Sequence, residues 1–158
     1  MATLRAVVES LGHVDVETYL QSGNVVFTPT RGTKRELGPM LARALREETG
    51  LDVPVLVRTG RELAKLVAAN PYPVDDPTKV VVVFLGEALA PSRLGLGDPD
   101  AFAPDELTRV GRELVVSLPK GQARSKLMET LTKRRQPTVV TVRNWRTVAA
   151  LAELTAAG

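Results

Sequence analysis

The run Val80-Val81-Val82-Val83-Phe84-Leu85 constrains the fold of this chain more than any other feature. Six successive apolar residues, rich in β-branched types, favour a strand over a helix at that length. A strand with one wet face alternates apolar and polar residues. An unbroken run reads instead as a strand buried on both faces. It is far too short for the ~20 residues that a membrane helix needs.

Weaker strand signals surround it. Val14, Val16, Thr18 and Leu20 alternate with Asp15, Glu17 and Tyr19, and Val25 to Thr28 follows after the turn Gln21-Ser22-Gly23-Asn24. This reads as a hairpin. A second hairpin is predicted over Leu107–Val110 and Glu113–Leu118, around Gly111-Arg112. Val53, Val55 and Val57 alternate as a further strand, with Pro54 placing its start at a sheet edge. Thr138 to Val142 is a short β-branched strand.

Helical periodicity fills the intervals. Leu4, Val7, Val8 and Leu11 form one stripe, ended by Gly12. Thr33 and Glu36 have capping-box spacing ahead of Leu37, Leu41, Ala44 and Leu45. Pro39 conflicts with that start and moves the expected beginning of the helix towards Gly38. Thr59 and Glu62 repeat the box before Leu63, Leu66 and Val67. Ala123 to Arg135 carries Leu127, Met128 and Leu131 inward. Asn144 is placed to cap a last helix with Val148, Leu151, Ala152 and Leu154 inward.

The two halves share an order. The second reads strand, irregular or short helix, hairpin, helix, strand, helix. The first reads helix, hairpin, helix, strand, helix. Each matches a split β-α-β unit, so the expected fold is α+β with two ferredoxin-like subdomains. We expect an N-terminal subdomain with its connecting helix over 1–72, and a C-terminal subdomain with its C-terminal helix over 73–158. The first lacks its opening strand, which in this fold lies inside the sheet. Its absence leaves backbone groups without partners. A truncated or mis-assigned start, closure of the remaining strands, or a second molecule would each account for it.

Composition narrows the chemistry. There is no cysteine, which excludes disulfides, thiolate catalysis and thiolate metal sites. The one histidine, His13, follows Gly12 and reads as a surface turn residue. Neither a cofactor nor a metal is expected. Residues 106 to 146 hold ten Lys/Arg against three acids, within a chain of net charge +3. That asymmetry suits an anionic partner.

Three clusters carry candidate ligand contacts. Gln21, Ser22 and Asn24 share a turn, where turn chemistry alone also explains them. Lys120, Arg124, Ser125 and Lys126 surround a helix start, where free amides and cations suit an anion. Arg143, Asn144 and Arg146 flank Trp145 at a strand-to-helix junction, which capping and packing also explain.

Several stretches together resemble a bacterial family of unknown function, DUF1697. They are Met1-Ala2-Thr3-Leu4-Arg5, Tyr19-Leu20-Gln21-Ser22-Gly23-Asn24-Val25-Val26-Phe27 and Gly50-Leu51-Asp52-Val53-Pro54-Val55. Leu118-Pro119-Lys120-Gly121, Arg124-Ser125-Lys126-Leu127 and Thr141-Val142-Arg143-Asn144-Trp145-Arg146-Thr147-Val148 continue the likeness. The resemblance implies two ferredoxin-like subdomains, and family members that begin earlier with a strand and a Gly/Asn-rich loop. It implies no activity.

The expectation for function is non-catalytic binding of a small anionic or phosphorylated ligand in the cytoplasm. Phosphate-only contact with nucleic acid, homodimerisation through the open sheet, and catalysis by carboxylates, lysine or hydroxyls are the other classes. Low aromatic content argues against RNA recognition by base stacking. No membrane association is expected.

Overall fold

A computed structural model of the chain describes residues 2–19, 23–133 and 135–156. It divides into two compact units, Met1–Leu63 with Leu151–Gly158, and Ala64–Ala150.

The first unit opens with α1 (Ala2–Ser10). The hairpin β1 (Val14–Tyr19) and β2 (Asn24–Thr28) follows as an antiparallel, two-stranded sheet. Strand β1 departs from simple alternation. The register shifts between Val14 and Glu17, and Asp15 takes φ 54°. This bulge turns Val14 out to 48% exposure, while Val16 stays buried. Alternation alone had put both on one face.

Helix α2 (Lys34–Thr49) begins at Lys34 and not near Gly38. The Thr33 N–H donates to Glu36 Oε2 at 2.8 Å, and the Leu37 N–H to the Thr33 carbonyl at 3.0 Å. These cap bonds hold the first turn in spite of Pro39, which lies inside the helix. Val8, Val16 and Leu41 form the core of this unit, with Leu4, Leu11, Val25, Phe27, Val55 and Val57 packed on it.

Two sequence expectations fail here. Residues 51–59 form no strand, although Val55 and Val57 reach the core as the alternation requires. A strand needs a bonded neighbour, and this segment has none among the described residues. His13 is not a surface residue: it is 3% exposed. Its Nδ1 accepts the Thr30 N–H at 3.2 Å, and its ring lies 4.9 Å from that of Phe27.

Helix α3 (Gly60–Ala68) runs across the division between the units. Its start carries a complete capping box. The Thr59 N–H donates to Glu62 Oε2 at 2.9 Å, and the Glu62 N–H to Thr59 Oγ1 at 3.1 Å.

The second unit is built on β3 (Val80–Leu85), β4 (Glu106–Val110), β5 (Glu113–Ser117) and β6 (Val140–Asn144). The sheet is antiparallel in the order β4-β5-β3-β6. The strand that comes first in the chain thus lies inside, which is the split β-α-β arrangement. Every residue of β3 is buried, as its unbroken apolar run requires.

One face of this sheet presents Val81, Val83, Leu85, Leu114 and Val116 to Leu127, Met128 and Leu131 of α4 (Lys126–Lys133). Leu89, Leu94 and Leu96, from the irregular connection after β3, complete this core. Residues 122–124 form a separate 3₁₀ turn, so the helix expected over Ala123–Arg135 is shorter. Helix α5 (Trp145–Ala156) ends the chain. Its Val148 is buried, but Leu154 is 37% exposed rather than inward.

Candidate functional site

The sheet register of the second unit decides which candidate residues meet. Val80, at the start of β3, pairs with Ser117 at the end of β5. Val81 pairs with Asn144 at the end of β6. The Leu118 N–H extends the first pairing to the Lys79 carbonyl at 2.8 Å. The turn at Lys120 and the junction Arg143–Arg146 therefore leave the sheet on either side of the same point. Lys79 stands at that point on β3 itself.

Both exits lead into capped helices. Ser125 is 5% exposed. Its Oγ accepts the Met128 N–H at 3.0 Å and donates to Asp105 Oδ2 at 2.8 Å. It is thus engaged as the N-cap of α4 and as an anchor to Asp105. Asn144 Oδ1 accepts the Thr147 N–H at 3.0 Å and caps α5.

The cations differ in setting. Arg143 is half-buried, and burial pulls its pKa below the usual guanidinium range. Its Nη1 donates back to the Val142 carbonyl at 2.9 Å. Lys120, Arg124, Lys126 and Arg146 are exposed. Lys126 lines a depression with Gly95, Glu129, Thr130 and Lys133, and neither Arg143 nor Arg146 is among its lining residues.

A carboxylate is also present. Asp76 Oδ1 accepts from Thr78 Oγ1 at 2.7 Å and from the Thr78 N–H at 2.9 Å. These bonds, the hydroxyl's first, hold the Asp76 pKa below the usual value. Attraction from Lys79 and Arg146 adds to them. Asp76, Lys79 and Arg146 thus lie within one electrostatic neighbourhood.

Lys120, Arg143, Asn144 and Arg146 follow or end β5 and β6 at one end of the sheet, with Arg124 on the next 3₁₀ turn; Arg143 pairs with Val82 and Asn144 with Val81, so these two side chains take opposite faces. Lys79 was not among the candidates from sequence, and Asp76 reads there as a solvated loop carboxylate. The signal for Lys79 was its place directly before the Val80 run. Asn24 belongs to the first unit, where its Nδ2 donates to the Tyr19 carbonyl at 3.2 Å. Gln21 and Ser22 lie outside the described residues.

Among the described residues, no group of three or more His, Asp or Glu side chains is placed to hold a metal. No described helix is long and apolar enough to cross a membrane.

The architecture defines an α+β protein of two ferredoxin-like units, the first without its opening strand among the described residues. The chain belongs to the family described as "Protein of unknown function (DUF1697)", whose model matches residues 1–115. Lys120 to Arg146 lie beyond that match. The chain is also similar to the solved structure of conserved bacterial protein SP0830 from Streptococcus pneumoniae. The two share 19% identity and a TM-score of 0.79, over 98% of this chain and 88% of that one. That likeness is one of fold. No curated protein matches the sequence.

Proposed function

We propose that the chain is a non-catalytic, cytoplasmic binding module for a small anionic or phosphorylated ligand, held at the end of the second sheet where β3 begins. The observation that carries this reading is the register that sets Lys120 on one side of Lys79 and Arg143 to Arg146 on the other. Two capped helix starts lie at the same end and add the positive ends of their dipoles. Arginine suits the role because its planar fork can hold two phosphate oxygens at once. Arg143, already half out of water, loses less hydration on binding than an exposed cation would.

The test is a titration of the 158-residue chain with inorganic phosphate and then pyrophosphate at low salt, followed by amide NMR. Amides of 119–124 and 143–147 are expected to shift together. The Lys120→Ala/Arg146→Ala double variant is expected to weaken binding about tenfold or more, the equivalent of about 1.4 kcal/mol. No shift in these amides at millimolar anion would sink the reading. A steep salt dependence confined to oligonucleotides would assign the same cations to nucleic-acid phosphates instead.

A further inference from the structure

The loop that leads into β3 sets a carboxylate among the cations of the proposed anion site. Residues 76–79 form a turn, closed by the Lys79 N–H on the Asp76 carbonyl at 3.0 Å. Such turns favour Asp at the first position and Pro at the second, where Asp76 and Pro77 stand. The end Cα atoms of a turn lie within about 7 Å of each other. Local chemistry therefore fixes Asp76 beside Lys79. The Lys79 carbonyl accepts the Leu118 N–H at 2.8 Å, so the turn is tied directly to the sheet.

Arg146 reaches the same point from the other flank. Asn144 pairs with Val81, and Arg146 and Lys79 each lie two residues beyond that pair. Both cations attract the Asp76 carboxylate, in addition to the larger effect of its Thr78 bonds.

Asp76 nevertheless closes on neither cation. Among the described residues, no ion pair joins it to Lys79 or Arg146. Its Oδ1 takes both bonds from Thr78, the hydroxyl at 2.7 Å and the N–H at 2.9 Å. Its Oδ2 accepts none among the described residues. Thr78 thus holds the carboxylate in its own turn and keeps it from collapsing onto Lys79. One oxygen is left free, at a fixed place next to exposed cations.

That arrangement is poor for a bare phosphate. A carboxylate among the cations opposes their pull on a dianion. It suits a ligand that carries a positive group close to its phosphate, because opposite charges then face each other at both ends. A hydroxyl in that place would leave the carboxylate charge uncompensated. The positive group must sit a short spacer from the phosphate, since Asp76 and Lys79 are the two ends of one turn.

We propose that the site at the start of β3 selects an aminoalkyl phosphate, with Lys79 and Arg146 on the phosphate and Asp76 Oδ2 accepting from the protonated amine. This rests on the anion-binding reading above and names the ligand class of that site. Asp76 is its specificity-determining residue and contributes no attraction to the phosphate itself. Neighbouring Asp75 is exposed and lacks the Thr78 bonds, so it has no part in the selection.

The experiment titrates the 158-residue chain at pH 7 and low salt with O-phosphoethanolamine and with propyl phosphate. The two are alike in size and differ in an ammonium against a methyl group. Amides of 76–80 and 143–147 are followed by NMR. Phosphoethanolamine is expected to bind about three- to fivefold tighter, the scale of a favourable exposed ion pair. Asp76→Asn keeps an oxygen for the Thr78 bonds and is expected to bring the ratio to about one, with propyl phosphate bound more tightly than before. Asp75→Asn is expected to keep the ratio. Equal binding of the two ligands by the unaltered chain would overturn this proposal and leave the anion site standing. A ratio unchanged in Asp76→Asn, or lost equally in Asp75→Asn, would do the same. No shift with either ligand would overturn both readings.

Discussion

Replacing Ser125 by alanine removes two hydrogen bonds from a side chain that is 5% exposed. One is the N-cap bond from the Met128 N–H, and the other runs to Asp105 Oδ2. Loss of a cap costs about 1 kcal/mol. A bond to a charged acceptor is worth about 1.5–3 kcal/mol, and Asp105 takes the low end because it is only half-buried and water can re-solvate it. The expected cost of Ser125→Ala is about 2.5 kcal/mol. Urea unfolding measures it through Trp145, the only tryptophan, which lies in the second unit. At a slope of about 2 kcal/mol/M, the midpoint falls by about 1 M with the slope unchanged. Ser125→Thr keeps the oxygen and should cost under about 1 kcal/mol. A cost for Ser125→Ala below about 0.5 kcal/mol would refute the reasoning, and the two bonds would then contribute little net stability.

Two further outcomes follow from single positions. Gly60→Ala puts a methyl 2.9 Å from both Cβ and the carbonyl oxygen of Thr155. Helix propensity alone favours alanine by up to about 1 kcal/mol, but crowding against backbone costs about 1–3 kcal/mol. Net destabilisation in thermal unfolding is expected, and a stabilised variant would show that Thr155 moves freely. Tyr72 bonds its hydroxyl to Thr108 Oγ1 at 2.7 Å. Burial lifts its pKa above the usual 10.0, the Thr108 bond works against that lift, and Glu106 adds to it. The neutral phenol is thus favoured in the folded state. Its contribution to stability is complete below pH 10.0 and is lost as pH rises through the higher folded value. Thr108→Val should move the titration higher still, by absorbance near 295 nm; a fall would mean that the bond favours the neutral phenol, with Tyr72 as its donor.

Much of the fold was legible because local signals agreed with tertiary ones. The Val80–Leu85 run announced an inner strand, since no exposed strand would carry six apolar residues. The hairpin glycines and the Thr33 and Thr59 boxes marked their elements because the chemistry there is local. The misses share a cause: in each, a distant partner decides. His13 looks like a turn residue until Phe27 and Thr30 close over it. Ser125 reads as a ligand contact until Asp105, twenty residues away, takes its hydroxyl. Val14 fails because the bulge at Asp15 shifts its register, and alternation does not reveal a bulge. Residues 53–57 have the pattern of a strand without the partner that makes one. The candidate site was legible as three separate clusters. Only the pairing of β3 with both β5 and β6 shows that two of them share a sheet end, with Lys79 between them.

The comparison of the units also supports placing the proposed anion site in the second and not at the matching end of the first. The first has cations of its own at that end, Arg31 after β2 and Arg58 before α3. Those flanks have no described strand between them to fix their spacing. In the second unit, β3 bonds to both flanks, and its residues are at most 7% exposed. Its ladders hold the exits of β5 and β6 two strand spacings apart, about 10 Å. In the proposed site, cations on either side of Lys79 would therefore meet an incoming anion without the backbone having to be ordered first. Binding pays for whatever it must immobilise, so equal charges on a fixed frame bind more tightly than on a loose one. The same inner strand that gives this unit its dry core also sets the geometry of the residues at its edge.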